Sequence, residues 1–229
     1  MTATDVLIPA YNEEASLPKV LTDLPRDGVR RVVVVDNAST DGTAVVAAAG
    51  GAEVLHEDRP GYGSACLRGI RHLAQDPPDV LTFLDADYSD HPQELPLLVQ
   101  PITAGEADLV IGSRVLGRRQ PGALLPQARL GNWLACRLIR LLYGLRCTDL
   151  GPFRAIRWDA LERLQMRDRD FGWTAEMQVK AARLGLRVVE VPVSYRRRIG
   201  RSKITGTVRG TLLAGYKIIW TILRYSRRP

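Results

Sequence analysis

Two carboxylates spaced i and i+2, Asp85-Ala-Asp87, follow directly on the apolar run Val80-Leu-Thr-Phe-Leu84. Acids so placed beyond a strand point the same way and can share one hard cation. An all-oxygen donor set suits Mg²⁺ or Mn²⁺, with substrate phosphates completing the shell. Three more polar groups fall where other apolar runs stop. Tyr11-Asn-Glu13 follows Val6-Leu-Ile-Pro9, Asp36-Asn37 follows Arg31-Val-Val-Val-Val35, and Ser113-Arg114 follows Asp108-Leu-Val-Ile111. Singly, each reads as a solvated loop or a helix cap. Four on successive strand ends form a site, because ligands of open α/β sheets sit outside the carboxyl ends of the strands.

The elements that must hold these residues alternate strand and helix through residue 110. Asn12 is the expected N-cap of a helix running to about Leu24, with Glu13-Glu14 in its first turn. Ala44–Ala49 reads as helix, Glu53–Leu55 as strand, Gly61 to about Ala74 as helix, and Pro92 opens a helix to about Ile102. Repeated βα units predict an α/β fold, a single Rossmann-like domain with a mostly parallel central sheet and helices on both faces. The second half is less regular. Leu125–Tyr143 reads as helix, Phe153–Ile156 as a short strand and Thr174–Leu184 as helix. Arg187–Val193 reads as an edge strand because of Pro192, and Thr205–Tyr225 as a basic amphipathic helix.

The chain has 229 residues, 45% of them apolar and 25% charged, which excludes a disordered tail or a collagen-like repeat. Its charge is divided. Residues 1–110 carry 7 Lys and Arg against 18 Asp and Glu, whereas residues 111–229 carry 25 against 7. A basic half calls for an anionic partner: phosphates, nucleic acid or an anionic membrane face. No nucleic-acid motif or stacking platform accompanies it, so no nucleic-acid partner is expected. Cys66, Cys136 and Cys147 are too few and scattered for a disulfide framework, and they read as reduced thiols of a cytoplasmic protein. Met1-Thr-Ala-Thr-Asp5 has neither the basic nor the apolar region of a signal peptide. No apolar stretch is long enough to span a bilayer.

The run Val6-Leu-Ile-Pro-Ala-Tyr-Asn-Glu-Glu14, then Val35-Asp-Asn-Ala-Ser-Thr-Asp-Gly-Thr43, then Asp85-Ala-Asp87, resembles the family-2 glycosyltransferases of the GT-A fold. The second half narrows the resemblance. Gly112-Ser-Arg114, Thr148-Asp-Leu-Gly-Pro-Phe-Arg-Ala-Ile156, Glu176-Met-Gln-Val-Lys-Ala181, Glu190-Val-Pro-Val193 and Arg198-Ile-Gly-Arg-Ser-Lys203 are similar to the dolichyl- or polyprenyl-phosphate mannosyl/glucosyl synthase branch. The match runs in order over roughly residues 4–205.

The resemblance implies a glycosyltransferase domain over residues 1–204, with a nucleotide-sugar half (1–111) and an acceptor half (112–204), followed by the helix of 205–229. It implies that Pro9, Tyr11, Glu13, Asp36, Asp85 and Ser202 bind the nucleotide sugar. Asp87 and Asp85 are the implied metal ligands, and Asp87, Arg198 and Lys203 the catalytic group. Arg114 and Arg129 are expected to hold an acceptor phosphate. Two positions depart from the family pattern. Ser89, followed by Asp90, stands where relatives often carry a metal-binding Gln, which leaves room for water in the shell. Gly61-Tyr-Gly63 stands where they often carry Gly-Lys-Gly, so a cationic contact to the donor is either lacking or supplied by Arg59 or Arg68.

The implied reaction is inverting, metal-dependent transfer of a hexose from a GDP-mannose- or UDP-glucose-type donor to a polyprenyl phosphate. Metal and cations neutralise the leaving diphosphate. A phosphate acceptor is already ionised and needs no base; a sugar hydroxyl would need one, with Asp149 or Glu176 as candidates. The alternatives are a family-2 enzyme with a soluble sugar or small-molecule acceptor, and a nucleotidyltransferase, whose usual Gly-rich basic loop is replaced here by Ala10-Tyr-Asn-Glu-Glu14. Many relatives continue into transmembrane helices. This chain is therefore expected to lie peripherally on the cytoplasmic membrane face, through the basic helices at 125–143 and 205–225, or to use a membrane-protein partner.

Overall fold

The unbroken β-branched runs form buried strands. These are β1 (Thr4–Ala10), β2 (Val29–Asp36), β3 (Glu53–His56), β4 (Val80–Phe83), β5 (Leu109–Ser113), β6 (Arg154–Arg157) and β7 (Val188–Pro192). The computed structural model describes residues 2–200 and 208–226. Among them the strands make one seven-stranded sheet in the order β3-β2-β1-β4-β6-β5-β7. β1 pairs in parallel with β2 and β4, β2 with β3, and β5 with β7; β6 alone runs antiparallel, between β4 and β5. The mostly parallel sheet and the edge position of β7 agree with the sequence reading.

Side chains alternate across β1. Val6 and Ile8 face a core with Val20, Leu21, Leu98 and Ile102, from α1 (Leu17–Asp23) and α4 (Leu95–Thr103). Leu7 faces the other core, with Cys66 and Leu73 of α3 (Tyr62–Leu73), Leu161 of α6 (Trp158–Leu164), and Trp173 and Met177 of α7 (Trp173–Arg183). A strand covered on both faces explains why β1 and β2 are apolar runs rather than alternating ones. The remaining helices are α2 (Thr43–Ala49), α5 (Pro126–Tyr143) and α8 (Val208–Arg224).

Along α8, Ile222 is fully buried with Ala135 and Ile139 of α5 and Val179 of α7. The Tyr225 hydroxyl donates to Glu176 of α7 at 2.6 Å, and the Tyr143 hydroxyl donates to the Ile222 carbonyl. Leu213, Tyr216 and Leu223 of α8, and Leu130, Trp133 and Leu141 of α5, face solvent.

Two expectations are corrected. Asn12 is not an N-cap: its φ is +53° and its carboxamide oxygen accepts from the Thr40 amide at 2.7 Å, so α1 starts only at Leu17. Residues 158–164, read as no element, form α6, which buries Trp158, Leu161 and Leu164. Seven residues are too few for a helical period to stand out.

The order β2-β1-β4 places the ends of β1 and β4 side by side where the chain direction of the sheet's winding reverses. The four polar strand ends therefore converge on one rim.

Candidate active site

β4 carries four fully buried residues and delivers Asp85 and Asp87 to the rim. Asp85 has a buried Oδ1 without a hydrogen-bond partner. Burial, and then the charge of Asp87, push its pKa up to about 7. Asp87 is better held. Its Oδ1 accepts from the Ser89 amide at 2.9 Å and the Ser89 hydroxyl at 2.5 Å. Its Oδ2 lies 3.2 Å from Arg198 Nη1. Ser89, at the position where relatives often have Gln, thus orients Asp87. Asp90 is 1% exposed with neither oxygen partnered, and burial favours its neutral form, as do the charges of Asp85 and Asp87.

Arg198 arrives from the segment after β7. That segment lies along the turn after β4: the Ile199 amide donates to the Asp87 carbonyl at 3.0 Å and the Arg196 amide to the Ser89 carbonyl at 2.9 Å. The Arg196 guanidinium stacks 3.4 Å from the centre of the Tyr88 ring and donates to the Tyr88 and Asp90 carbonyls. Arg198 Nη2 reaches Glu13 Oε1 at 3.2 Å, so one guanidinium joins the ends of β1 and β4. Ser202 and Lys203 lie outside the described residues.

A cleft of about 470 Å³ opens over this group. Pro9, Tyr11 and Glu13 line it from β1, Asp85 and Asp87 from β4, with Arg198 opposite. Asp36 stands just behind the lining, its Oδ2 3.2 Å from His56 Nδ1; Asn37 and Ala38 supply that wall instead. Asp170 and Phe171, which the sequence reading did not single out, close the far side with Tyr62. The signal for them was the pair of glycines. A Cβ on Gly63 would stand 2.1 Å from the Asp168 carbonyl, and one on Gly61, at φ +136°, 2.2 Å from the Arg169 carbonyl. The two glycines let the segment carrying Asp170 and Phe171 pack directly on the start of α3. Arg59 points away from the cleft lining, to a separate basic pocket described below.

On the other side of the rim, Arg114 after β5 meets Asp149 in a bidentate pair, with Nη2 to Oδ1 at 2.7 Å and Nε to Oδ2 at 2.8 Å. Asp149 is fully buried. Glu190 of β7 fixes this loop by accepting from the Thr148 and Asp149 amides at 2.9 and 3.0 Å. Below lies Arg154, fully buried, with the carbonyls of Leu150, Gly151 and Thr174 as its hydrogen-bond partners among the described residues; burial lowers its pKa to about 10. Arg129 is exposed in the first turn of α5. Glu176 is not brought into the cleft: its carboxylate accepts from the Asp168 amide at 2.7 Å and pairs with Lys180 at 2.7 Å.

The residues fit a divalent cation. The donors are carboxylate oxygens, one of them buried without a partner, and a dication would offset the repulsion between Asp85 and Asp87. Among the described residues no three acidic, His or Cys side chains cluster as a metal cage. The pair would therefore bind a cation together with phosphate oxygens and water, as Mg²⁺ sites commonly do.

The sequence profile for glycosyl transferase family 2 matches residues 5–164. An uncharacterized glycosyltransferase of Mycobacterium tuberculosis is 43% identical over 215 residues, covering 93% of this chain and 94% of that one. The undecaprenyl-phosphate mannosyltransferase of Micrococcus luteus is 38% identical, covering 89% of this chain and 88% of that one. Among solved structures, glucosyl-3-phosphoglycerate synthase from Mycobacterium tuberculosis, in complex with Mn²⁺, uridine diphosphate and phosphoglyceric acid, superposes with a TM-score of 0.79 at 26% identity. That match covers 100% of this chain and 80% of that one.

The buried Arg114–Asp149 pair makes a stability prediction. Asp149→Ala leaves the guanidinium without its bidentate partner and should destabilise the fold by about 3–5 kcal/mol, read by denaturant unfolding. An unchanged unfolding midpoint would contradict a supporting role for the pair.

Proposed function

The chain belongs to glycosyl transferase family 2 and is a hexosyltransferase with the GT-A fold; from that premise we propose that it transfers a hexose, with inversion, from a nucleotide sugar to a polyprenyl phosphate. The observation that carries the donor half is the triple contact of Glu13, Asp87 and Arg198 at the cleft floor. Pro9, Tyr11 and Asn37 line the space proposed for base and ribose, with Asp36 behind Asn37. Asp85 and Asp87 would hold Mg²⁺ or Mn²⁺, which when bound supplies Lewis-acid stabilisation of the leaving diphosphate. Arg198 adds positive charge to the same group by exchanging its carboxylate contacts for phosphate oxygens. Ser202 and Lys203 are proposed to close over the diphosphate.

The acceptor half rests on charge and on what its carboxylates already do. Of the two expected bases, Asp149 is engaged with Arg114 and Glu176 lies outside the cleft. Burial and the charges of Asp85 and Asp87 push the pKa of Asp90 up. An acceptor that arrives ionised needs none of them, and a phosphate monoester is such an acceptor. Arg114, with Arg129 at the start of α5, is proposed to position it. The name of the 38%-identical relative supports a lipid phosphate. A second reading, a soluble phosphorylated acceptor, is favoured by the solved neighbour's complex with phosphoglyceric acid.

No helix among the described residues is long and apolar enough to cross a membrane. The proposed route to a lipid acceptor is peripheral, on the cytoplasmic face. The outward apolar side chains of α5 and α8 would enter the interface, with Arg137 near Trp133 and Lys217 and Arg224 near Trp220 at its boundary. In this reading residues 1–204 are the catalytic unit and 205–229 a membrane-facing unit built on α8, which also packs on the core.

Asp87→Ala should lower turnover by a factor of about 10²–10³, equivalent to about 3–4 kcal/mol in the barrier, with circular dichroism unchanged. Wild-type turnover at saturating metal would remove Asp87 from the mechanism.

In vesicle flotation, the chain should bind anionic vesicles and release as salt rises. Leu130→Glu with Tyr216→Glu, both at exposed positions, should abolish binding and leave the unfolding midpoint in place. Undiminished binding by the double variant would place the membrane contact elsewhere.

A further inference from the structure

A second pocket, of about 210 Å³, opens between α8, the start of α7 and the loop before α3. Arg59, Arg167, Arg169, Lys217 and Arg224 line it. Two carboxylates share the pocket and both are engaged. Asp168 pairs with Lys217 at 3.2 Å and accepts from the Asp170 and Gly172 amides. Glu176 pairs with Lys180 and accepts from Tyr225. None of the four arginines has a carboxylate partner among the described residues. Lys180, just behind, registers the excess of positive charge. Burial lowers its pKa, and Arg167 and Arg224 add to that against the pull of Glu176.

Uncompensated arginines on a surface are commonly just solvated. Thr221 adds a buried polar side chain to this group. It lines the pocket at 1% exposure, and its hydroxyl has no hydrogen-bond partner. A buried hydroxyl without a partner is unfavourable unless something supplies one. Trp220 forms the outer lip, with Lys217 and Arg224 at 5.2 and 5.0 Å from its ring. The combination is a small cavity, forked cationic donors, a buried threonine in the lining and an amphipathic ring at the mouth. It matches a tetrahedral phosphate carried on a less polar body.

We propose that this pocket binds a phosphate group, as the diester of an anionic phospholipid or as a soluble phosphate ester. It shares no lining residue with the nucleotide-sugar cleft. Its wall, residues 167–169, runs on into Asp170 and Phe171 of that cleft. A phosphate seated here would therefore hold the segment that closes the donor site. The proposal concerns binding and does not depend on which acceptor the enzyme uses.

The test uses the full chain and two probes. Sodium phosphate is titrated while tryptophan emission is followed, with Trp220→Phe identifying the reporter. Vesicles of phosphatidylcholine, with and without phosphatidylglycerol, are then floated with the same proteins. A saturable change that requires Trp220 is expected, about tenfold weaker in Arg167→Gln/Arg224→Gln. Thr221→Val should also weaken it, yet without phosphate its unfolding midpoint should be no lower than wild type, because the change removes an unpartnered hydroxyl. The charge-matched control Arg118→Gln/Arg163→Gln, at exposed positions outside the pocket lining, should bind phosphate as wild type does. A preference for phosphatidylglycerol that only the pocket variant loses assigns the lipid source. A difference seen with sodium phosphate alone assigns a soluble ester. Phosphate binding without any vesicle binding would contradict the membrane reading above and leave the pocket standing. The proposal is overturned if neither probe perturbs Trp220, or if the pocket variant and the charge-matched control behave alike.

Discussion

Three acidic side chains, Asp85, Asp87 and Asp90, share the buried end of one strand, and much of the surrounding structure answers that crowding. Carboxylates withdrawn from water and set beside each other resist ionisation, and this raises the pKa of both Asp85 and Asp90. The protein offsets the charge with cations brought from distant parts of the chain. Arg198 returns from beyond β7, Arg114 stands at the end of β5, and Arg154 lies buried beneath. The first two work directly on Asp85. Unequal holding separates the three acids: Asp87 is fixed by Ser89 and Arg198, Asp85 Oδ1 has no partner among the described residues, and burial pushes the pKa of Asp90 up. In the proposed function a diphosphate takes the place of the Glu13 and Asp87 carboxylates on Arg198.

The same logic links the two halves of the rim. β6 enters antiparallel between β4 and β5, and the loop before it carries Asp149 to Arg114 and is itself pinned by Glu190 on the edge strand. The second half of the chain is thus more than a basic appendage. Through Arg198 it supplies a counter-charge to Glu13 and Asp87 of the acidic first half, so neither half is complete as a site alone.

What the sequence made legible follows from which signals are local. Val32–Val35 and Val80–Leu84 are strands because continuous β-branched and apolar runs have few other uses, and Asp85-Ala-Asp87 stands out because it breaks such a run. Relations between distant residues were harder to read. Asn12 looked like a helix cap, but its partner is Thr40, 28 residues away. Glu176 looked like a base, yet its carboxylate holds the amides of Arg167 and Asp168 and the hydroxyl of Tyr225. Asp170 and Phe171 reach the cleft because Gly61 and Gly63 admit the backbone of Asp168 and Arg169 just before them. Ser89 appeared as a missing ligand and proves to be the residue that aims Asp87.

The central claim is that these strand-end carboxylates and cations serve transfer of a hexose onto a lipid phosphate. The most direct measurement incubates the purified chain with labelled GDP-mannose or UDP-glucose, Mg²⁺ or Mn²⁺, and either a short polyprenyl phosphate or a soluble phosphorylated acid, then resolves glycolipid from water-soluble product. The account predicts label in a glycolipid whose sugar is joined through phosphate with the anomeric configuration inverted. Label only in a soluble glycoside, with the polyprenyl phosphate left unmodified by both donors, would contradict it.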